Sequence, residues 1–378
     1  MLKEFHTYPF EKLNALLQDI SPLTEINLSI GESQFPTPQA IQDALKASTA
    51  LLQKYPSSRG EDALKKAQLD FVARRFGVHL NPDQLIPTFG TREVLFNFPH
   101  FFLSNLSKPC IAYPNPFYQI YEGGAIAANA RSILMPLAKE NNFKPSLSPQ
   151  ELQDVHLVIL NSPNNPTGSI LSLEELSRWV ELALEYDFVI LSDECYSEIY
   201  EDTPPPSILE ASIKANNPSF KNILALNSIS KRSSSPGLRS GWIAGDENIL
   251  KHYGRYRTYI GCAIPLPLQE ASKVAWELSS EDSRLIYAQN LKIAREIFSQ
   301  TYISPYTFYV WLEVGDELKF TGLLYEQYGI KVLPGSFLGR QNEGKGFVRL
   351  ALVYEPDVIS STLHQIQDAL KHFQKERE

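Results

Sequence analysis

Lys231 stands in Asn227-Ser228-Ile229-Ser230-Lys231-Arg232, after the apolar run Ile223-Leu224-Ala225-Leu226 and before Pro236-Gly237-Leu238-Arg239-Ser240-Gly241-Trp242. A primary amine at the end of a buried strand suits covalent attachment to an aldehyde. Ser228 and Arg239, on either side of it, are then placed to hold a phosphate. Two further polar clusters, Ser192-Asp193-Glu194-Cys195-Tyr196 and Asn164-Asn165-Pro166-Thr167-Gly168, each follow an apolar run of their own. Asp193 emerges from Phe188-Val189-Ile190-Leu191-Ser192, where a carboxylate with little water around it is costly unless a cation opposes it. The plainer reading of Asp193 alone is a turn or helix-cap aspartate.

An amine, a buried carboxyl and a phosphate cradle are the demands of pyridoxal phosphate, whose ring nitrogen must stay protonated for the ring to absorb a carbanion's electrons. Its phenolic oxygen needs donors, and Tyr196 and the Asn165 amide are the candidates. Taken singly, Tyr196 reads as core packing and Asn164-Asn165-Pro166-Thr167-Gly168 as a turn. Gly90-Thr91-Arg92 precedes Glu93-Val94-Leu95-Phe96, a helix start whose exposed amides suit an anion and whose glycine permits close approach. Tyr118 or Phe117, in Pro114-Asn115-Pro116-Phe117-Tyr118, could lie against the ring. Arg349, inside the apolar run Phe347-Val348-Arg349-Leu350-Ala351-Leu352, needs an anion: a substrate carboxylate in one reading, an internal salt bridge in the other.

Strands are expected at 110–113, 156–161, 188–191, 223–226 and 242–244. Helices such as Leu173–Tyr186, opened by the capping-box sequence Ser172-Leu173-Glu174-Glu175, alternate with them. That alternation predicts an α/β fold with a mostly parallel sheet covered on both faces and ligands at the carboxyl ends of its strands. Outside this block, residues 10–18 form an amphipathic segment and 268–298 a long helical pattern. Residues 308–313 and 346–352 read as strands and 356–373 as a closing helix. We expect a large cofactor-binding domain over 45–260. Residues 1–44 and 261–378 would then form an N-terminal arm and a smaller α+β domain that closes on substrate.

Composition narrows the classes. The chain of 378 residues is 43% hydrophobic and 21% charged, ordinary for a globular protein with a large core. A net charge of −8 and no long like-charge block argue against nucleic-acid binding through a basic surface. Cys110, Cys195 and Cys262 form neither a CxxC pair nor a disulfide framework, which points to a reducing compartment. The start, Met1-Leu2-Lys3-Glu4-Phe5-His6, lacks a signal-peptide core, and no apolar run could span a bilayer. A cytoplasmic location is expected. The seven histidines show no metal-ligand spacing, so no metal is assigned.

In this order, these residues resemble those of the class I/II aminotransferases of pyridoxal-phosphate fold type I, over nearly the whole chain. The resemblance implies a seven-stranded sheet between helices, with Lys231 bonding the cofactor aldehyde and shuttling protons. Asp193 pairs with the ring nitrogen, Tyr196 and Asn165 hold the phenolic oxygen, and Tyr118 stacks on the ring. Gly90, Thr91, Arg92, Ser228 and Arg239 form the phosphate cup. Tyr55, in Lys54-Tyr55-Pro56-Ser57-Ser58-Arg59-Gly60, matches a tyrosine that reaches the phosphate from a partner subunit, which implies a homodimer. Arg349, Gly31 and Asn165 receive the substrate. A narrower likeness is to bacterial succinyldiaminopimelate aminotransferases. It is carried by Tyr8-Pro9-Phe10-Glu11-Lys12-Leu13, by the run from Pro114 to Gly123, by residues 192–200 and by Ser230-Lys231-Arg232-Ser233 through Gly241. Serine at position 33 and the serines at 233–235 depart from that group's pattern.

The implied reaction transfers an amino group between N-succinyl-diaminopimelate and glutamate, in lysine and peptidoglycan-precursor synthesis. A broad-specificity aspartate or aromatic aminotransferase, or a β-lyase, would share every cofactor residue. For the distal carboxylate, Arg59, Arg232 and Arg257 are candidates by charge alone. A non-catalytic cofactor-binding sensor would need an added basic DNA-binding segment, which is not expected before Gly31 or after Phe373. A Rossmann nucleotide binder would need a GxGxxG after its first strand.

Overall fold

The computed structural model describes residues 5–22, 24–261 and 263–375; Met1–Glu4 of the N-terminal reading and Cys262 lie outside them. In chain order the strands are Ile26–Asn27 (β1), Leu85–Thr88 (β2), Cys110–Asn115 (β3), Arg131–Pro136 (β4), Leu157–Asn161 (β5), Val189–Asp193 (β6), Ile223–Ser228 (β7) and Gly241–Gly245 (β8). Tyr309–Glu313 (β9), Ile330–Lys331 (β10), Leu333–Pro334 (β11) and Phe347–Ala351 (β12) follow. Seven of them form one sheet in the order β2-β8-β7-β6-β5-β3-β4. All neighbours are parallel except β8, which runs against both β2 and β7.

The inner strands are buried along their whole length, as a sheet covered on both faces requires. Their alternating side chains divide between two cores. Val158, Leu160, Ile190 and Ala225 pack on one face with Phe71, Trp179 and Trp276. Leu157, Ile159, Leu191 and Leu224 pack on the other with Phe98, Tyr121 and Tyr253. The two strands that the sequence pattern does not announce are the edges. β4 is largely exposed, and β2 contains Pro87, which an edge position tolerates.

Helix Leu173–Tyr186 begins at the expected capping box, with Glu175 N donating to Ser172 Oγ at 3.2 Å and Ser172 N to Glu175 Oε2 at 2.8 Å. The pattern over 268–298 is two helices, Leu266–Glu277 and Glu281–Ile297. Leu278 turns extended between them, and Ser279 Oγ accepts from Glu281 N at 3.2 Å. Helices Gln39–Ala47 and Leu266–Glu277 contribute Ile41, Ala271, Ala275 and Trp276 to the core of the large sheet.

β9, β11 and β12 form a separate antiparallel sheet in the order β11-β12-β9, which shares a core with helices Glu281–Ile297, Glu317–Tyr328 and Pro356–Lys375. The N-terminal segment is tied to this unit: β1 pairs with β10, and Ala351 N donates to Leu28 O at 2.8 Å. Ser29, Ile30 and Gly31 therefore run from β12 toward the carboxyl edge of the large sheet. Among the described residues no helix is long and apolar enough to cross a membrane.

Candidate active site

The parallel strands β3, β5, β6 and β7 end at one edge in Asn115, Asn161, Asp193 and Ser228, and a cavity of about 440 Å³ opens there. Lys231, Asp193, Tyr196, Asn165, Tyr118, Thr91, Arg92, Ser228, Arg239, Gly31 and Arg349 all line it. Gly90 stands directly behind it as the cap of helix Thr91–Leu103.

Asp193 is 2% exposed. Its Oδ2 accepts from Tyr121 Oη at 2.9 Å and its Oδ1 from Cys195 N at 3.4 Å. Burial pushes its pKa up, although Tyr121, Cys195 and the charge of Lys231 pull the other way. Lys231 lies in the short helix Ile229–Arg232, which starts where β7 ends; Ser228 caps it by accepting from Ser230 N at 3.1 Å. Its Nζ donates to the Gly31 carbonyl and sits 5.8 Å from the Phe308 ring centre. Asn161 Oδ1 accepts from Asn165 N at 2.8 Å, and its amide donates to the Asp193 carbonyl at 2.9 Å, so the Asn165 turn is fastened to the end of β6.

Hydroxyls and guanidinium groups gather on one side. Ser228 and Ser230 hydroxyls are 2.8 Å apart. Arg239 donates to Pro236 O at 2.7 Å and Phe89 O at 3.2 Å, and its pKa is lowered by burial and then by neighbouring Arg92. Gly90 has φ +80°, and a Cβ there would come within 2.4 Å of Arg239 Nη2, so glycine is required by conformation and by space. The helix start is locked from behind: Arg257 grips Glu93 through Nε at 2.7 Å and Nη2 at 3.1 Å, and donates to Ser58 O at 2.8 Å. The Arg92 guanidinium turns into the cavity, with Nε donating to Tyr118 Oη at 2.8 Å and Nη2 to Tyr8 Oη at 3.4 Å.

Across the cavity, Arg349 projects from the central strand β12 and is 4% exposed. It donates to Asn165 Oδ1 at 2.8 Å and Ser29 O at 2.5 Å, and lies 4.3 Å from the Tyr309 ring centre. Its Nε is buried without a partner among the described residues. The internal salt bridge that the sequence left open is not made among the described residues. Tyr309 Oη is 3.1 Å from Tyr196 Oη, and a Cβ at Gly31 would come within 2.0 Å of Tyr309 Oη.

Three expectations part from this geometry. Arg257 is fully buried on Glu93, and Arg232 is spent on the Ala275 and Leu278 carbonyls at 2.9 and 3.0 Å. Neither they nor Arg59 line the cavity of their own chain. Tyr55 is fully exposed and outside the cavity of its own chain. Tyr121, Tyr309, Ser230 and Tyr8 line the cavity without having been singled out as site residues. The only signal for Tyr121 is its spacing three residues after Tyr118. Cys110 and Cys195 are free thiols, and the described residues hold no cluster of metal-ligating side chains.

An amine, a buried carboxyl whose charge needs a cation, and arginines beside hydroxyls at a helix N-terminus fit a phosphorylated aldehyde carrying a basic ring nitrogen. The comparisons agree. The model of the family "Aminotransferase class I and II" matches residues 24–364, and the chain belongs to that family of pyridoxal-phosphate enzymes. The crystal structure of aminotransferase AspB from Helicobacter pylori is 54% identical, with a TM-score of 0.96 over 97% of this chain and 99% of that one. An LL-diaminopimelate aminotransferase from Aquifex aeolicus is 31% identical over 97% of both chains. A probable N-succinyldiaminopimelate aminotransferase from Thermus thermophilus, 23% identical, shares the fold with a TM-score of 0.84 over 96% of this chain and all of that one.

Proposed function

We propose that this aminotransferase exchanges an amino group between N-succinyl-LL-2,6-diaminopimelate and 2-oxoglutarate, in the cytoplasm, as part of lysine and diaminopimelate synthesis. The observation that carries the reaction is the convergence of Lys231, Asp193 and Arg349 on one cavity. The diaminopimelate assignment is supported by the relatives' names and the likeness at Tyr8–Leu13 and the run from Pro114 to Gly123.

When bound, pyridoxal phosphate supplies an aldehyde that exchanges amines and a ring that takes up the electron pair of the substrate Cα. Arg349 binds the α-carboxylate, with Gly31 leaving room beside Tyr309. Asn165 holds the Arg349 guanidinium and turns its own amide toward the phenolic oxygen, which Tyr196 also reaches. Tyr118 lies against the ring. Lys231 Nζ would hold the aldehyde and, when free of it, would stand as the base that moves a proton at the substrate Cα. Asp193 keeps a counter-charge at the ring nitrogen. Thr91, Arg92, Ser228 and Arg239 surround the phosphate, with Gly90 allowing its approach. Tyr55 completes that cup in a partner subunit of a homodimer, for which its full exposure is the support. Residues 45–260 carry the cofactor, and the small sheet closes on substrate.

The test is single-turnover absorbance of the cofactor-loaded enzyme, mixed separately with N-succinyl-LL-diaminopimelate, LL-diaminopimelate, glutamate, aspartate and tyrosine. Rapid change with the succinylated compound and glutamate alone is expected. Reaction with free LL-diaminopimelate, aspartate or tyrosine while the succinylated compound is inert would keep the aminotransferase and discard this substrate.

A further inference from the structure

We propose that Ser33 and Ser234 form a hydroxyl latch that positions the substrate-facing residues 29–31 against the Lys231 loop. This rests on the reading of Arg349 and Gly31 as the α-carboxylate side, whichever amino acid is bound. The two stretches concerned are those in which the sequence departs from the succinyldiaminopimelate group, serine at position 33 and the serines at 233–235. They meet across 201 positions of chain: Ser33 Oγ and Ser234 Oγ are 2.9 Å apart. Ser33 Oγ also accepts from Phe35 N at 3.2 Å, which leaves its own proton free for Ser234. Thr37 Oγ1 donates to Ser234 O at 2.8 Å, and Ser235 Oγ to Thr37 Oγ1 at 3.4 Å. Ser233, Ser234 and Ser235 are all buried, and Ser234 has φ +46°. A non-glycine residue in the left-handed region is held there by its surroundings, and here its hydroxyl and its carbonyl both bond the facing segment.

The segment needs such a fastener. Residues 28–38 belong to no helix or strand, and Glu32, Gln34 and Pro36 along it are exposed. Between positions 29 and 37 the only backbone-to-backbone bond among the described residues runs from Gln34 N to Val353 O at 3.1 Å, just past β12. Phe35 leans the same way, its ring 5.6 Å from that of Tyr287. Toward the large sheet the segment is held by Lys231 Nζ on the Gly31 carbonyl and by the serine and threonine hydroxyls. Lys231 cannot be a permanent fastener, because its amine is the group that reacts. The hydroxyls take no part in the chemistry, so their hold does not depend on the state of Lys231. What they hold matters on the substrate side: Ser29 O accepts from Arg349 Nη2, and a Cβ at Gly31 would strike Tyr309 Oη. A loosened segment would weaken the pocket for the part that all amino acids share. It would leave Lys231 and Asp193, set by the sheet, in place.

The experiment compares wild-type holoenzyme with Ser33→Ala, Ser234→Ala and the double variant, by kinetics and by hydrogen exchange over residues 29–37. Each single change should raise KM about fivefold for every amino acid the enzyme accepts, the worth of one neutral hydrogen bond, with kcat within about twofold of wild type. The double variant should be no worse than either single one, since both delete the same contact. Exchange over 29–37 should quicken in all three, and Ser33→Thr, which keeps the hydroxyl, should restore both readouts. Additive losses in KM, or unchanged exchange, would overturn the latch. A fall in kcat at constant KM would overturn it too, since the hydroxyls would then be acting on Lys231. Should Ser234→Ala fold poorly, Ser33→Ala against Ser33→Thr decides by the same exchange rates. Faster exchange with KM unaltered would instead defeat the placement of the α-carboxylate at Gly31 and Arg349, the reading on which the proposal stands.

Discussion

The two walls of the cavity are built on different principles. The wall at the edge of the large sheet is rigid in kind: Asp193, Asn161, Asn165, Ser228 and Lys231 sit on or directly after strands buried along their whole length, and backbone groups set their orientation. The facing wall is assembled from pieces distant in sequence. Arg349 comes from β12, Ser29 and Gly31 from the segment that follows β1, and Tyr8 from the cap of the N-terminal helix. The first wall suits chemistry common to every substrate, and the second suits choice among substrates. A site that must accept two different amino acids in turn keeps its reactive groups on one sheet and gathers the groups facing them from separate elements.

Removing the amine on the rigid wall should have the largest effect. Lys231→Ala should leave no detectable transamination in a coupled assay, because among the described residues no second amine lines the cavity to take the Cα proton. Retained turnover would sink the role given to Lys231. On the facing wall, Arg349→Gln removes the charge proposed to meet the α-carboxylate. Losing one member of a buried charge pair costs roughly 4 kcal/mol, so kcat/KM should fall by about a thousandfold for every amino acid tested. A loss confined to dicarboxylic substrates would instead put Arg349 at a distal carboxylate.

The same division explains what could be read in advance. Strand ends on the large sheet were legible because each is an uninterrupted apolar run closed by a polar residue, as in Phe188-Val189-Ile190-Leu191-Ser192-Asp193. β2 and β4 were not, since edge strands carry proline and exposed charge. Arg349 stood out by being charged within a strand pattern. Tyr309 and Tyr121 did not, because a tyrosine in an apolar stretch has the same appearance whether its hydroxyl meets solvent, core or Asp193. Arg257 shows the opposite failure: a charged residue on a helix reads as available, and only the packing reveals that Glu93 consumes it.

Behind the rigid wall lies a second acid, Glu194, whose side chain leaves the cavity and enters the core. It is 2% exposed; its Oε1 accepts from Ser192 Oγ at 2.9 Å and Ile208 N at 2.8 Å, while Oε2 has no partner among the described residues. Burial raises its pKa from the ordinary 4.5 to about 7. For an acid raised in the folded state, the native protein holds the proton that the unfolded chain releases. Stability is therefore lost as pH rises from about 4.5 to 7, and the full penalty stands above 7. Glu194→Gln keeps the Oε1 acceptor and removes the charge. Relative to wild type, the variant should gain on the order of 3 kcal/mol between pH 4.5 and pH 8. Denaturant melts at several pH values measure this, and a difference independent of pH would show that Glu194 stays ionised in the fold.

The smallest effect expected separates position from charge on the rigid wall itself. Tyr121 Oη gives the Asp193 carboxylate the shorter of its two hydrogen bonds, and its ring is packed between Tyr113 and Tyr118 at centroid distances of 6.4 and 5.9 Å. Tyr121→Phe keeps that packing and deletes one donor, a change worth about 1 to 2 kcal/mol when the acceptor is charged. The Asp193 carboxylate then loses part of its stabilisation, and with it the bias toward a protonated ring nitrogen. The turnover number should fall about tenfold while KM for each amino acid changes little, since nothing on the facing wall has moved. The pH dependence of the cofactor's absorbance should shift as well, which a merely structural tyrosine would not cause. If instead KM rises and the absorbance titration is unchanged, Tyr121 acts by packing alone, and the separation between a chemical wall and a selecting wall fails at this residue.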